Sequence, residues 1–400
     1  MTPKGNALLI RMGPYYMTQA VPRAASTLQE MGYTITILSL DKSGDKHDHE
    51  RVNDWEIIWY HHKYKSGNKI SFLWAWLCWW VWVIRKIYRG NYDLVQASNL
   101  ESIVPCVFAR KFRKFTLVLD IRDLWGMACG QSYRRMMRIF NTMERWAAKR
   151  VDGIVLCPAA LERLAEYFGK KVAQSIPTVQ VLNVPAEDIA GTYSPPPAGQ
   201  IRFNYSGHIS YLRNAQAILD LASEKPEVQV DVVGEIHDDK LRIAFEAIPN
   251  VKLYGQLPFK QAMEVFLKAN LISIMYDSST EIAIISTPNK MFEAMMMSRP
   301  YIASSNSFPG ITAEKHSLGW AVPYGNSRAL IELVSELQGN PSKIESAAKN
   351  ARKTYEKYFT WDKQKANLIM LYNYVTNGEK IECFSHAGWN KMLGTVLQNA

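Results

Sequence analysis

The chain has 400 residues, 48% hydrophobic and 21% charged, with a formal net charge of +10 and no internal repeat or low-complexity tract. That length gives a prior of about two to three domains. Its five cysteines (Cys78, Cys106, Cys129, Cys157 and Cys383) have no paired spacing. With no secretory signal ahead of Ala7, the expected compartment is a reducing cytoplasm rather than a disulfide-forming one. The charge is uneven: residues 1–150 hold 23 Lys+Arg against 12 Asp+Glu, a surplus of 11, while the other 250 hold 24 against 25. No basic helix or nucleic-acid-binding module accompanies that surplus, so an anionic bilayer explains it better than nucleic acid.

In chain order, the apolar run Ala7–Ile10 enters the loop Arg11-Met12-Gly13-Pro14-Tyr15, followed by a helical pattern to Met31 and a strand from Tyr33 to Leu40. This is one βαβ unit. Gly13 is placed where backbone would approach a ligand, although a plain Gly-Pro turn is equally served. His47, Asp48, His49, Glu50, His61 and His62 offer metal-ligand types without metal-site spacing, and a solvated surface is the stronger reading. Residues 70–89 read as a helix with Trp74, Trp76, Trp79, Trp80 and Trp82, followed by Arg85, Lys86 and Arg89. Thirteen unbroken apolar residues from Phe72 span about 20 Å as a helix, short of a hydrocarbon core of roughly 30 Å. A membrane-contact helix lying in the headgroup region is favoured over a buried connecting helix or a dimer contact.

The strand from Phe115 ends in Asp120, Arg122 and Asp123. Three charges at the carboxyl edge of a parallel sheet point to a ligand site, with a buried Asp–Arg pair as the structural alternative. Glu144 falls in a helical pattern from Met136 to Arg150, where a solvated face would also explain it. The Pro-rich stretch 191–200 reads as a linker between two halves that each restart with a strand. Beyond it, Gly207 closes a strand, Arg213 follows, and Gly234 ends the next strand. In the segment Thr287-Pro288-Asn289-Lys290-Met291-Phe292-Glu293, Thr287 suits an N-cap and Pro288 the first helical position. Lys290 then lies in the first turn, where a cation is misplaced unless an anion binds there. Glu293 lies one turn on, where a carboxylate accepts from ribose hydroxyls.

The Pro-x-Lys-x-x-Glu segment, its flanking strands Leu271–Tyr276 and Tyr301–Ser304, and Asp120-Ile-Arg122-Asp123-Leu-Trp125 together resemble GT-B glycosyltransferases of retaining family 4, of the type that builds bacterial surface polysaccharides and lipid-linked glycans. The resemblance implies an α/β GT-B fold, two Rossmann-like doubly wound parallel-sheet domains facing across a cleft. The expected division is an acceptor-binding domain 1–190, the linker, a nucleotide-sugar-binding domain 201–360, and residues 361–400 with closing helices that cross back. It implies transfer of a hexosyl or N-acetylhexosaminyl group from a nucleoside-diphosphate sugar, UDP favoured over GDP, to a lipid-linked or nascent surface glycan at the inner face of the cell membrane. The nucleotide sugar is then substrate and no cofactor or metal is required, in keeping with the lack of any Asp-x-Asp. Donor binding falls to Gly13, Gly207, Arg213, Gly234, Glu281, Thr287, Lys290 and Glu293, and catalysis to Asp120, Arg122 and Asp123. Two positions depart from the family pattern: Ile285 replaces a frequent Glu, with Glu281 four residues earlier as the candidate substitute, and Arg122 stands where His is common. A GT-B sugar-nucleotide 2-epimerase and a non-catalytic glycan-assembly partner are the alternatives.

Overall fold

The computed structural model describes residues 4–63, 69–122, 134–156, 168, 172, 175–185, 188–279 and 286–378. It divides into two compact units, one running to Leu182 and resuming at Gln364, the other Asn183–Lys363.

In the first unit, β1 (Gly5–Arg11), β2 (Tyr33–Asp41), β3 (His49–Val52), β4 (Trp55–His61), β5 (Leu94–Ser98), β6 (Thr116–Ile121), β7 (Gly153–Leu156) and β8 (Thr178–Gln180) form a sheet of order β3-β4-β2-β1-β5-β6-β7-β8. Only β3 pairs antiparallel. The central strands carry continuous apolar runs such as Ala7–Ile10 because helices cover both faces. Those helices include α1 (Ala20–Glu30), α2 (Lys69–Arg89), α3 (Asn99–Ala109) and α4 (Arg134–Ala148), and α3 packs against both α2 and α4. The chain turns from β1 toward β2 on one side and toward β5 on the other, so the sheet reverses between β1 and β5.

The second unit contains β9 (Arg202–Ser206), α5 (Ala215–Glu224), β10 (Gln229–Val233), α6 (Asp239–Glu246), β11 (Val251–Gly255), α7 (Phe259–Lys268), β12 (Leu271–Ile274), α8 (Asn289–Met296), β13 (Tyr301–Ser304), α9 (Phe308–Lys315), β14 (Gly319–Val322), α10 (Ser327–Gly339) and α11 (Pro341–Thr354). Its six strands are parallel, in the order β11-β10-β9-β12-β13-β14, with the reversal between β9 and β12. Open α/β sheets bind ligands outside the carboxyl ends of strands at this reversal, which directs attention to the loops after β9, β10 and β12. Phe203, Tyr205, Leu219, Phe245 and Leu271 belong to the core that fixes those strands.

The unit boundary falls between Leu182 and Asn183, ahead of the Pro-rich stretch. That stretch is held within the second unit instead of serving as a free linker. The Ser194 carbonyl accepts from Arg299 (2.8 Å), and Asn270 Nδ2 donates to the Pro197 carbonyl (2.7 Å). Just upstream, buried Arg352 on α11 forms a fork on Asp188 (2.6 and 3.0 Å), reaches Glu356 (2.6 Å), and donates to the Gly191 carbonyl (2.8 Å). The closing helix α12 (Trp361–Asn377) belongs from Gln364 to the first unit, where Tyr372 Oη donates to Gln96 Oε1 (2.5 Å). Replacing Arg352 with Leu strips the Met296 and Gly191 carbonyls and two carboxylates of their donor, so urea unfolding should show a loss on the order of 3 kcal/mol.

Candidate functional site

The loops after β9 and β10 meet through bare backbone. Gly207 (φ +108°) and Gly234 (φ +142°) occupy conformations that side chains disfavour. A Cβ on Gly234 would lie 1.9 Å from the Gly207 carbonyl oxygen, and one on Gly207 would lie 2.9 Å from Lys290 Cε. The Gly207 amide donates to the Val233 carbonyl (2.8 Å) and the Gly234 amide to the Gly255 carbonyl (2.8 Å), so the two loops are fixed by the strand ends. Lys290 therefore lies against a side-chain-free strip at the sheet reversal.

Beside that strip is a pocket of about 440 Å3 lined by Gly207, His208, Gly234, Glu235, His237, Gln256, Lys290 and Glu293, with Leu257, Phe259 and Met263 as apolar wall. The His208 and His237 rings are 5.6 Å apart, and His237 Nδ1 lies 3.6 Å from Glu235 Oε1. Burial pushes the Glu293 carboxyl above its usual range, and Lys290 draws it partly back. The helix start differs from the sequence expectation by one position. Pro288 is the N-cap and Asn289 the first helical residue, while Thr287 is buried in the preceding loop. No side chain caps α8; the Met291 amide donates to the Pro288 carbonyl (3.0 Å), and the helix start beside Lys290 is an arrangement suited to an oxyanion.

Arg213 lies on a one-turn 3-10 segment and stacks its guanidinium 4.1 Å from the centre of the Tyr276 ring. Burial raises the Tyr276 pKa, with the Arg213 charge lowering it and the Glu293 charge raising it further. The sequence reading missed Tyr276, His237, Gln256 and Phe259. Their signal was positional: each follows or opens an element at the carboxyl edge of the second sheet.

The first unit corrects several expectations. Asp120 is 0% exposed, with Arg122 Nε 2.8 Å from its Oδ1 and Nη2 3.1 Å from its Oδ2. Gln96 donates to the same carboxylate (3.3 Å), and the Arg122 amide donates to Asn99 Oδ1 (2.8 Å). The pair is a buried structural tie at the end of β6, and Asp120 has no surface with which to touch a substrate. Asp123, Glu281 and Ile285 lie outside the described residues. Glu144 is buried on α4 beside a cavity of about 10 Å3 lined by Asn99, Leu119 and Ile121, so it lies near the end of β6 and is not on a solvated face. Gly13 has no close neighbour that a Cβ would strike, the nearest atom being Arg11 Nε at 3.8 Å, while its carbonyl accepts from Ser39 Oγ (2.8 Å). His61 bridges Asp41 (2.9 Å) and Asp48 (3.0 Å) through its two ring nitrogens, and among the described residues no group of three or more such side chains is arranged to hold a metal ion.

The tryptophan helix is divided. Trp79 (0% exposed) and Trp76 are core side chains, together with Ala75, Val83 and Ile87, so these two are not membrane contacts. Trp80 is half-buried and donates to the Glu101 carbonyl (3.0 Å). Trp82 stacks on Trp79 (5.3 Å), with the Lys86 ammonium 5.4 Å from the centre of its ring. Trp74 is 62% exposed, and Arg85 and Arg89 are exposed too. Among the described residues no helix is long and apolar enough to cross a membrane.

The description "Glycosyl transferase 4-like domain" matches residues 17–179, and "Glycosyl transferases group 1" matches residues 198–340. No curated protein matches by sequence. Among solved structures, a sucrose-phosphate synthase from Thermosynechococcus elongatus superimposes with a TM-score of 0.74 at 14% identity, covering 94% of this chain and 100% of its own. Anabaena HepE, solved with UDP and glucose, gives 0.68 at 14% identity over 92% of this chain and 99% of its own. The lipopolysaccharide outer core galactosyltransferase WaaB gives 0.60 at 15% identity over 94% and 99%. With two parallel-sheet units, a ligand-sized pocket at the second sheet's reversal and family matches in both halves, the chain belongs to the GT-B glycosyltransferases of the family 4-like kind.

Proposed function

We propose that the chain transfers a sugar, with retention of configuration, from a UDP-sugar to a lipid-linked or nascent surface glycan in polysaccharide assembly, working at the inner face of the cell membrane. The observation that carries the donor half is the convergence of Gly207, Gly234, Lys290 and Glu293 on one pocket. UDP is favoured because HepE was solved with UDP and with UDP-glucose. The diphosphate is assigned to Lys290 and the uncapped start of α8, with Arg213 as a second cation steadied by Tyr276. The ribose hydroxyls are assigned to Glu293, and the base to the end of the pocket bearing Glu235 and Gln256. As the bond from the sugar's anomeric carbon to the phosphate oxygen breaks, its electron pair passes to that oxygen of the diphosphate, while the acceptor hydroxyl oxygen bonds the same face of the carbon and its proton passes to the departing diphosphate. Fixed cations and N–H groups at that oxygen lower the barrier without a protein nucleophile. Asp123 is retained as the candidate contact to the acceptor hydroxyl. No metal or cofactor enters this reading.

Lys290→Ala should weaken UDP binding by about 1.5–3 kcal/mol, the range for a charged hydrogen bond, and leave uridine binding nearly unchanged in calorimetry. Equal loss for both ligands would indicate a disturbed fold and refute the phosphate assignment. Gly234→Ala should reduce UDP affinity at least tenfold, because its Cβ must displace the Gly207 backbone and with it the seat of Lys290. Unaltered affinity in that variant would remove the backbone strip from the site.

Glu293 supplies a pH test. Its carboxyl titrates above the ordinary range in the free protein because of burial. Ribose hydroxyls donate only to the ionised form with full strength, so binding lowers that pKa and releases a proton. UDP affinity should therefore rise with pH until the free carboxyl is ionised and stay level above that, and Glu293→Gln should abolish the rise. A slope that persists in Glu293→Gln belongs to another group.

A further inference from the structure

We infer that Arg352, Arg299 and Asn183 are positioning residues of the proposed nucleotide site: from outside the pocket they strap α8 at both ends to the segment by which the chain enters the second unit, and so set where Lys290 and Glu293 stand. The inference rests on the reading of that pocket as the donor site, and it assigns residues which that reading leaves out. Helix α8 has eight residues, or about 12 Å of helix. A helix so short is marginal by itself, so its placement comes from tertiary contacts. A tilt of about 5° at one end carries the other through about 1 Å, enough to spoil a contact to a diphosphate.

The carboxyl end of α8 is held by two buried guanidiniums. The amides of Met297, Ser298 and Arg299 close onto the carbonyls of Glu293 (3.0 Å), Met295 (3.1 Å) and Ala294 (2.8 Å), and Ser298 ends the helix in a left-handed conformation (φ +56°). The next three carbonyls are taken by arginine. Arg352 Nη1 donates to Met296 (2.8 Å), and Arg299 Nη1 donates to Met297 and Ser298 (3.0 Å each). Burial lowers the Arg299 pKa to about 10, so the cation persists at neutral pH against the negative pole of the helix.

Capping accounts for those carbonyls but not for the other partners of the same side chains. Arg352 also grips Asp188 (2.6 and 3.0 Å) and the Gly191 carbonyl (2.8 Å), while Arg299 reaches the Ser194 carbonyl (2.8 Å) and the Ser194 amide donates to Ser298 Oγ (3.2 Å). At the amino end, Asn183 Nδ2 donates to Oδ1 of Asn289, the first residue of α8 (2.8 Å). One stretch of chain after Leu182 therefore holds both ends of the helix. Between them, Phe292 packs on Phe359 (5.1 Å between ring centres) in the π-helical turn Tyr355–Phe359, whose Glu356 is held by Arg352 as well (2.6 Å). Arg352, Arg299 and Asn183 do not line the pocket, yet they fix the element that carries Lys290 and Glu293 into it.

Calorimetry of UDP binding to the full chain, read as a double-mutant cycle with melting temperatures alongside, tests this. Arg352→Lys keeps the charge and loses the fork, and should weaken UDP binding at least about tenfold. In a Lys290→Ala background the same change should cost no more than about threefold, because the ammonium whose place it sets is gone. Asn183→Ala removes one hydrogen bond at the other end and should give about a threefold loss that vanishes in the Lys290→Ala background; it carries the test alone if Arg352→Lys does not fold. Asn250→Ala is the control. Its amide holds the Ala222, Lys225 and Val228 carbonyls away from the pocket lining, so this variant should melt earlier and keep UDP affinity within about twofold. Wild-type UDP affinity in both Arg352→Lys and Asn183→Ala, equal losses in the two backgrounds, or a loss in Asn250→Ala that matches Arg352→Lys at the same melting temperature would each overturn the inference. Any of these beside the expected loss in Lys290→Ala leaves the donor reading standing, whereas wild-type UDP affinity in Lys290→Ala removes that reading and this inference with it.

Discussion

The pocket proposed for the donor depends on two loops meeting without side chains between them. The Gly207 carbonyl fills the space where Gly234 would carry a Cβ, and Lys290 occupies the space where Gly207 would carry one. Each contact requires the one before it. The strand ends fix the glycine loops, the glycine loops admit the lysine stem, and the lysine stem brings a cation to a helix start that no side chain caps. The arrangement is costly in the empty protein, since burial raises the Glu293 carboxyl and a cation in the first turn opposes the helix dipole. A diphosphate and a ribose offset both costs, which is the physical reason to read the pocket as a nucleotide site.

The two units divide the work differently from the way their charges suggested. Three charges at the end of β6 looked catalytic, yet Asp120 and Arg122 neutralise each other inside the first unit and join Gln96, which Tyr372 of α12 also holds. Such a pair contributes less to stability than to position, because the Coulomb gain largely repays desolvation. Its effect is to fix where the chain leaves β6. Much of the surplus positive charge in the first unit lies at the amino edge of its sheet, where parallel topology brings the ends of α2, α3 and α4.

Much of the fold was legible in the sequence. Alternating apolar strands and amphipathic helices implied parallel sheets, and the glycines at strand ends together with the Lys290–Glu293 spacing pointed to residues that line one pocket at the second sheet's reversal. What could not be read were properties of neighbours. An all-apolar helix such as α2 declares burial or lipid without saying which side meets which, and only tertiary packing separates Trp79, set against Tyr60 of β4 and Trp82, from exposed Trp74. The two-residue spacing of Asp120 and Arg122 did place them on one side of the chain, a sign of pairing outweighed by their position at a strand end. Proline density marked a boundary at 191–200, but Arg299, Asn270 and Arg352 tie that segment down from positions remote in sequence. Tyr276 entered the site through a stacking contact that no local motif announces.

The central claim is that the pocket at the second sheet's reversal holds a nucleotide sugar whose sugar passes to an acceptor. The most direct measurement is release of free UDP from a panel of UDP-sugars, followed with and without an added lipid-linked glycan fraction. The account predicts release that requires both one UDP-sugar and the acceptor, with label appearing in the glycan. Conversion of the sugar nucleotide into an epimer without acceptor, or turnover of no sugar nucleotide by a protein that binds glycan, would contradict it.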